Sequence, residues 1–235
     1  MASGLEALAL VPGFVASCAS PASVRSWWKE VHPEVYAAEV LEPSWCEALD
    51  SLVVRHEESS LRGDAPSNTM HTRGLLISAL GLEAALESLV SDWLAPVAEL
   101  LFSVHLEGAI CEEHSYIVRY GEGYDADLAF HVDDSEVTFN LCLSHDGSGS
   151  RLLFEGARCA LHVDSAGREE ERFAWRHRPG VALLHAGKNR HRVDLITQGV
   201  RRNLITWMRD GGGVERWQSN WANASCPPWC AHQES

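Results

Sequence analysis

The residue types best suited to metal chemistry lie in one short run of the sequence, Phe130 to Asp134. His131 and Asp133 are two residues apart, so on an extended strand both side chains point to the same face. An imidazole and a carboxylate held side by side supply two of the three ligands of a facial Fe(II) site. The third ligand should be a distant histidine on a strand that pairs nearby, and His191 is the candidate.

Two other histidines compete for a place in this site. His162 begins a second His-Val-Asp triplet, but it lies too close to His191 in sequence to leave room for the intervening strands of a jelly roll. A polar run follows this triplet, which predicts the exposed end of a hairpin strand. His185 ends a predicted strand and competes with His191 for the third position. The choice depends on the residues downstream, where Arg201 lies ten residues after His191. An arginine on a strand returning beside the metal could bind a carboxylate through two hydrogen bonds of its guanidinium.

Short β-rich runs separated by Gly, Asp and Ser begin near Ser115. The predicted strands cover residues 116–120, 128–131, 136–143, 151–154, 159–163, 172–175, 181–185 and 203–208. Short strands at this spacing are typical of a sandwich or a double-sheet jelly roll. The strands should therefore position the metal ligands.

Helical signals precede these strands. Pro43 and the N-cap candidate Ser44 predict the start of one helix. Apolar residues at spacings of three and four predict another over 80–101, interrupted or restarted at Pro96. A helical layer followed by a jelly roll gives an α+β fold, a double-stranded β-helix supported by N-terminal helices.

The chain is expected to form one main domain with two extensions. Residues 1–38, punctuated by prolines, are expected to be an irregular lead-in with a short helix at 23–31. Residues 39–210 form the main domain, with a helical layer at 39–110 and a jelly-roll core at 111–210. Residues 211–235 form a C-terminal tail.

Composition narrows the range of partners and compartments. The formal net charge is −14 over 235 residues. This negative charge repels phosphate backbones and argues against nucleic acid as a partner. We predict no membrane span, because no apolar run is long enough. The first 20 residues make a poor signal peptide, which favours a cytoplasmic or nuclear location and leaves organelle targeting open. The oligomeric state is left open.

Seven cysteines cannot all pair within one chain. Five are scattered among apolar residues, which favours buried free thiols in a reducing compartment. Cys226 and Cys230 flank Pro-Pro-Trp and could form a disulfide or half of a zinc site. The sequence shows no partner pair with metal-ligand spacing, so neither reading is favoured and their role is left open.

Three stretches carry a resemblance to a known family. They are Tyr116-Ile-Val-Arg-Tyr120, the run from His131-x-Asp133 to Leu143, and His191 with Gly199, Arg201 and residues 203–207. With these motifs, the chain over roughly residues 40–210 resembles the 2-oxoglutarate- and Fe(II)-dependent oxygenases of the prolyl and lysyl hydroxylase branch. Residues 149–154 add support, although Ser150 replaces the second of a usual pair of glycines.

The resemblance implies roles for the matching residues. The iron ligands would be His131, Asp133 and His191. The co-substrate pocket would include Arg201, Tyr120, Asn140 and Thr138. Arg201 would hold the distal carboxylate of 2-oxoglutarate, whereas strand alternation should point Arg202 to the opposite face.

The resemblance also implies an oxidoreductase reaction. A dioxygenase of this kind uses Fe(II), 2-oxoglutarate and O₂ to hydroxylate a C–H bond with release of succinate and CO₂, and ascorbate is a candidate accessory cofactor. The expected substrate is a prolyl or lysyl side chain of a protein or peptide, with the motif slightly closer to the lysyl type. Residues 124–127 and the acidic run 169–171 are candidate contacts, and an acidic rim would suit a basic peptide.

Two alternatives remain open at this point. The same fold and iron chemistry could act on a small molecule. A non-catalytic jelly-roll binding module is the other alternative, and the presence of all three ligands and Arg201 argues against it.

Overall fold

The computed structural model describes residue 5 and residues 7–59, 74–211 and 226–232. The helices are α1 (Pro12–Ser17), α2 (Pro21–Trp27), α3 (Pro43–Ser59), α4 (Glu83–Leu89) and α5 (Ala95–Leu101). The strands are β1 (Lys29–His32), β2 (Val35–Glu39), β3 (Leu75–Leu76), β4 (Glu112–Gly121), β5 (Leu128–His131), β6 (Val137–His145), β7 (Ser148–Gly149), β8 (Leu152–Ala157), β9 (Arg172–Trp175), β10 (Val181–Ala186), β11 (Asn189–Val193), β12 (Ile196–Gln198) and β13 (Val200–Arg209).

Two main antiparallel sheets form the jelly roll. The larger sheet has the strand order β1-β2-β10-β6-β13-β4-β3, and the smaller has the order β5-β11-β8-β9. Strands β7 and β12 pair separately. The predicted α+β class and double-stranded β-helix are confirmed.

Strand alternation gives the large sheet two apolar faces, each with its own core. On β4, Tyr116 and Val118 pack with Leu152 and Phe154 of the small sheet. Ile117, one residue along, joins the core that the helices cover. Because successive side chains point to opposite faces, one strand can serve both cores. This arrangement leaves the space between the sheets for the candidate site.

The helices bury their apolar faces against the large sheet. Helix α3 begins at Pro43, where the missing N–H is tolerated, and it buries Leu49 and Val53. The predicted helix over 80–101 is divided into α4, a π-helical turn at Val90–Leu94, and α5. Pro96 explains the division, because proline cannot donate the usual backbone hydrogen bond and crowds the preceding turn.

The prediction of an irregular lead-in over residues 1–38 is wrong. This segment contains two helices and a β-hairpin, and β2 pairs with β10 in the large sheet. The predicted helix at 23–31 instead ends at Trp27. Glu34 lies in the hairpin turn and has a left-handed backbone conformation, with φ 59. Because glycine usually occupies such positions, a glutamate there does not mark the turn in the sequence.

Two further strand predictions need correction. Residues 159–163 form consecutive turns rather than a strand, with the His162 N–H donating to the Cys159 carbonyl at 3.0 Å. The ladder of β8 has already ended at Ala157. Conversely, the strand expected to carry His191 is absent from the predicted strand runs, because Asn-Arg-His-Arg-Val has too few apolar residues to signal a strand; the structure forms it as β11. Pairing with β5 and β8 on both sides stabilises it.

Gly199 precedes β13 and is expected to be intolerant of substitution. Its φ is +76, and an added Cβ would lie 2.6 Å from the Gly147 Cα. Gly199→Ala should lower the free energy of unfolding by about 2–4 kcal/mol, because it combines backbone strain with a backbone clash. Gly81→Ala is the matched control, since Gly81 has φ +69 with nothing within 4 Å. It should lose about 1 kcal/mol from strain alone. Equal losses in urea denaturation would contradict the role of the close approach.

Candidate functional site

The predicted metal ligands converge between the two sheets. His131 ends β5 and lies directly opposite His191 on β11. Asp133 follows in the loop, where its N–H donates to the Gly187 carbonyl at 2.8 Å. Thus neighbouring strands place the two imidazoles, and a backbone hydrogen bond places the carboxylate.

The three side chains can share one ion. The Asp133 Oδ1 atom lies 3.5 Å from the His131 Nε2 atom and 3.7 Å from the His191 Nε2 atom. One potential ligand atom from each residue lies within 4.8 Å of the others. Two imidazoles and one carboxylate on one side of an ion form the facial set that suits non-haem Fe(II), with its remaining positions open.

Hydrogen bonds to the Nδ1 atoms of both histidines and to Oδ2 of Asp133 fix the orientation of the three predicted ligands. The Nδ1 atoms of His131 and His191 lie 2.8 Å from the Ala129 carbonyl and 2.9 Å from the Asn189 carbonyl. A carbonyl can only accept, so each Nδ1 carries the hydrogen and each Nε2 keeps its lone pair for the metal. The Thr138 hydroxyl donates to Asp133 Oδ2 at 2.6 Å, which leaves Oδ1 toward the histidines.

The charge states also suit cation binding. Burial, with a smaller effect from neighbouring His131, lowers the pKa of His191 to about 3, so this imidazole is neutral at neutral pH. Burial alone would raise the pKa of Asp133, but its contacts with His191 and His131 outweigh that effect and hold the pKa below its usual value. The site therefore presents a neutral imidazole and an ionised carboxylate.

Thr138→Val should weaken Fe(II) binding about 10- to 100-fold, because it removes the hydrogen bond that orients Asp133. Titration with Fe(II) under anaerobic conditions, or with Mn(II), measures the effect. The matched control is Thr206→Val, which removes an equally buried hydroxyl that contacts Ser115 at 2.9 Å. Equal metal affinity in the two variants would show that Thr138 does not orient the ligand.

The competing histidines lie outside this set of three. His185 is fully buried on β10, with ring centroids 4.9 Å from His191, and its Nδ1 atom lies 3.0 Å from the Ala186 carbonyl. It lines the same cavity but is not among the clustered ligand atoms. His162 belongs to a different cluster, together with three cysteines.

A cavity extends from the triad into the space between the sheets. Its lining residues are Tyr116, Val118, Tyr120, Leu128, His131, Asp133, Thr138, Asn140, Leu152, His185, His191, Val193, Arg201 and Ile205. All the residues that the sequence assigned to the metal and the co-substrate therefore face one cavity.

Arg201 is a buried cation at this cavity, with 1% of its surface exposed. Its Nε atom donates to the Ser150 hydroxyl at 2.9 Å, and one terminal nitrogen donates to the Asn203 Oδ1 at 3.3 Å. Its guanidinium carbon lies 4.6 Å from the centroid of the Tyr120 ring. These partners are all neutral. A buried guanidinium without a hydrogen-bonded anion is costly, so the geometry suits an anionic ligand.

The structure adds polar neighbours that the sequence reading did not assign. Asn203 donates to the Asn140 Oδ1 at 2.5 Å and contacts the His177 Nδ1 at 3.1 Å. Asn203 lies two residues after Arg201, so strand alternation was a usable signal. Ser150, treated in the sequence as a minor departure, is the hydroxyl that accepts from Arg201. Thr138 contacts the predicted metal ligand Asp133 as well as lining the cavity.

Arg202 points to the opposite face of β13, as alternation predicts. Its terminal nitrogens lie 3.6 Å from Asp50 Oδ1 and 3.7 Å from Glu57 Oε2, both on α3. This arginine therefore ties the sheet to the helical layer, away from the cavity.

In both predicted substrate-contact segments, residues 124–127 and 169–171, some side chains are already engaged in contacts within the protein and others are exposed. Tyr124 donates to Glu57 Oε2 at 2.7 Å, so its hydroxyl is already engaged with α3. Glu171 is buried in an ion pair with Arg158 at 2.7 Å, which corrects its assignment to an acidic rim. Glu169 and Glu170 remain exposed, as does Asp127.

A jelly roll with a His-x-Asp and distant-His triad beside a buried arginine defines the class of 2-oxoglutarate- and Fe(II)-dependent oxygenases. Comparison with known proteins agrees, because residues 5–106 match the family described as an OGFOD2-like domain. The chain is also 39% identical over 193 residues to the 2-oxoglutarate and iron-dependent oxygenase domain-containing protein ICU11 of Arabidopsis thaliana. This alignment covers 81% of the chain and 49% of that relative.

More distant similarities point the same way. The multifunctional procollagen lysine hydroxylase and glycosyltransferase LH3 of Homo sapiens is 27% identical over 189 residues, which cover 75% of this chain and 23% of that protein. The crystal structure of a prolyl-4-hydroxylase from Pseudomonas putida shares the fold, with a TM-score of 0.54 and 16% identity. That match covers 76% of this chain and 93% of the other. The chain belongs to the 2-oxoglutarate- and Fe(II)-dependent oxygenases.

The chain spans about half the length of the Arabidopsis relative. In the described part of the chain, no helix combines the length and apolar character needed to cross a membrane.

Proposed function

We propose that this protein is an Fe(II)- and 2-oxoglutarate-dependent dioxygenase that hydroxylates a C–H bond. The observation that carries the proposal is the buried guanidinium of Arg201 in the same cavity as the His131, Asp133 and His191 ligand set. The triad could bind a metal cation, and Arg201 could bind an anion in the same cavity. This pair of sites matches 2-oxoglutarate, which chelates a metal at one end and carries a carboxylate at the other.

The residues divide the binding of the co-substrate between them. Arg201 binds its distal carboxylate through the guanidinium, whose plane is held by Ser150 and the Tyr120 ring. Apolar residues such as Leu152 and Val193 line the same cavity and would exclude water from it. When bound at these residues, Fe(II) and 2-oxoglutarate would supply the oxidation: one oxygen atom of O₂ would enter the substrate C–H bond, the other would enter succinate, and CO₂ would be released.

The proposed substrate is a prolyl or lysyl side chain of a protein or peptide. The motif His-x-Asp followed by Thr138 and Asn140, and the similarity to a lysine hydroxylase, support this class. Beside the metal motif, Phe130 is 44% exposed and the guanidinium of Arg192 lies 5.3 Å from the centroid of its ring. Exposed Asp127 adds negative charge next to Leu128, which lines the cavity. Exposed Phe130 and Asp127 suit a peptide with a basic residue, whereas Arg192 adds a positive charge that would repel one.

The test has two stages. The Fe(II)-loaded protein is first titrated anaerobically with 2-oxoglutarate, and a visible metal-to-ligand charge-transfer band is expected. Absence of the band from protein shown to contain iron would refute the dioxygenase proposal. Succinate release is then measured with O₂ and ascorbate, using lysine-containing and proline-containing peptide libraries. If small metabolites but not peptides stimulate succinate release, the substrate is a small molecule rather than a protein or peptide.

A further inference from the structure

A second cluster of metal-ligating side chains lies at the end of β8, outside the iron triad. Its members are Cys159, His162, Cys226 and Cys230. In sequence they form a Cys-x-x-His pair and a Cys-x-x-x-Cys pair, separated by more than 60 residues. The sequence predicts no partner for the second pair, because Cys-x-x-His is not a Cys-x-x-Cys motif and residues 159–163 carry a strand pattern.

The distances within the cluster match a tetrahedral zinc site. The His162 Nδ1 atom lies 3.4 Å from Cys159 Sγ, 3.5 Å from Cys226 Sγ and 3.6 Å from Cys230 Sγ. Zn–S and Zn–N bonds of about 2.3 and 2.0–2.1 Å at tetrahedral angles separate sulfur from nitrogen by about 3.5 Å. The Cys159 and Cys226 Sγ atoms are 4.0 Å apart, against about 3.8 Å in the same geometry. All three cysteines are free thiols in the structure.

Two buried arginines build the loop that carries Cys159 and His162. Arg158 forms an ion pair with Glu171 at 2.7 Å and also donates to the Ser165 hydroxyl at 2.8 Å. Arg190 donates to the Val163 carbonyl at 3.0 Å. These contacts fix the loop to the jelly roll, so Cys159 and His162 are already positioned for metal binding.

The segment that carries the other two ligands makes few contacts outside the cluster, and one of them is the Trp229 ring, whose centroid lies 5.1 Å from that of His105. Over residues 226–232, Cys230 is the one side chain in the buried class. Ala231 donates to the Ala157 carbonyl at 2.9 Å, and the Cys159 N–H donates to Cys230 Sγ at 3.4 Å. An N–H donated to sulfur favours a thiolate. The ring of His232 stacks on that of His162 at 4.0 Å and steadies the imidazole.

We propose a structural zinc site whose four ligands are Cys159, His162, Cys226 and Cys230. Four protein ligands complete the tetrahedron, so no position is left for a substrate and the site is structural rather than catalytic. Three thiolates and an imidazole select zinc, whereas the His₂-carboxylate triad selects a harder metal such as Fe(II). The zinc joins residues 226–232 to the jelly roll. This proposal does not depend on the proposed enzymatic function.

Cobalt substitution tests the proposal without any mutation. The full chain is purified under reducing conditions, its zinc content is measured, and zinc is then exchanged for Co(II). We expect about one zinc per chain and, with Co(II), intense visible bands and a near-ultraviolet thiolate charge-transfer band typical of a tetrahedral thiolate site. An Asp133→Ala variant should keep both signals, because the iron triad is a separate site.

Matched variants identify the ligands. Cys226→Ser should weaken zinc binding by at least about 100-fold, whereas Cys111→Ser, which alters an exposed free thiol outside the cluster, should leave it unchanged. His162→Ala should likewise lose zinc, whereas His232→Ala, which alters only the stacked ring, should retain it. Protein that is folded and reduced but holds no zinc, weak octahedral Co(II) bands, or a Cys226–Cys230 disulfide found by mass spectrometry would each overturn the proposal.

Discussion

His191→Ala is expected to abolish Fe(II) binding and reduce 2-oxoglutarate turnover by at least about 1,000-fold, the largest effect we expect from any single substitution. The variant removes one of the three proposed ligands, and the cluster formed by the described residues offers no fourth donor. A metal centre contributes several kcal/mol of transition-state stabilisation, and about 4 kcal/mol corresponds to a factor of 1,000. The charge-transfer band and succinate release should therefore both disappear.

His185→Gln is the matched control for this prediction. His185 is another buried histidine, close to His191, and it competes for the third position on sequence grounds. Because it lies outside the clustered ligand atoms, its replacement by a polar side chain of similar size should preserve Fe(II) binding. The opposite result, with iron lost in His185→Gln and kept in His191→Ala, would assign the third ligand to His185.

Arg201→Met is expected to weaken 2-oxoglutarate binding by about 100- to 1,000-fold while Fe(II) binding is retained. Truncating one partner of a buried, hydrogen-bonded charge pair costs about 2–5 kcal/mol, and each 1.4 kcal/mol is a factor of ten. Arg201→Lys should recover only part of the affinity, because an ammonium cannot form the two parallel hydrogen bonds of a guanidinium. Anaerobic titration gives the 2-oxoglutarate affinity directly.

The stability of the Arg201→Met protein provides a second readout. Without 2-oxoglutarate, the parent protein buries a guanidinium among neutral partners, so replacing it with an apolar chain should leave thermal stability unchanged or higher. Addition of 2-oxoglutarate to the Fe(II)-loaded protein should then raise the melting temperature of the parent but not that of the variant.

Arg202→Met separates this effect from a general loss of positive charge. Arg202 is adjacent in sequence but contacts Asp50 and Glu57 of α3. Its replacement should lower the stability and leave the 2-oxoglutarate affinity within about threefold of the parent, because it contributes nothing to the cavity. Equal losses of affinity in Arg201→Met and Arg202→Met would contradict the assignment of the carboxylate to Arg201.

The sequence alone determined much of the fold. Predicted strands such as 128–131 and 172–175 coincide with β5 and β9, because runs bounded by turn residues reveal their own ends. The helix beginning at Pro43 is another local signal that the structure confirms. Strand alternation also predicted the opposite directions of Arg201 and Arg202.

Pairing with distant segments decided the rest of the fold. The hairpin of β1 and β2 was missed because its turn residue, Glu34, gives no local signal and its place is fixed by β10. Strand β11 is polar and short, and it is a strand because β5 and β8 lie on either side. Local propensity cannot report such pairings, since their free energy arises between residues far apart in sequence.

For the metal chemistry, the sequence determined which side chains were available and the tertiary structure decided which of them meet. His131 and Asp133 were predicted as neighbours from their spacing and His191 from the family resemblance, and the structure places His191 rather than His185 opposite β5. The cluster around His162 was beyond the sequence, because its two halves meet only when the end of the chain packs against the end of β8. Ligand identity is a property of the residue, but a coordination geometry exists only once folding has brought the ligands together.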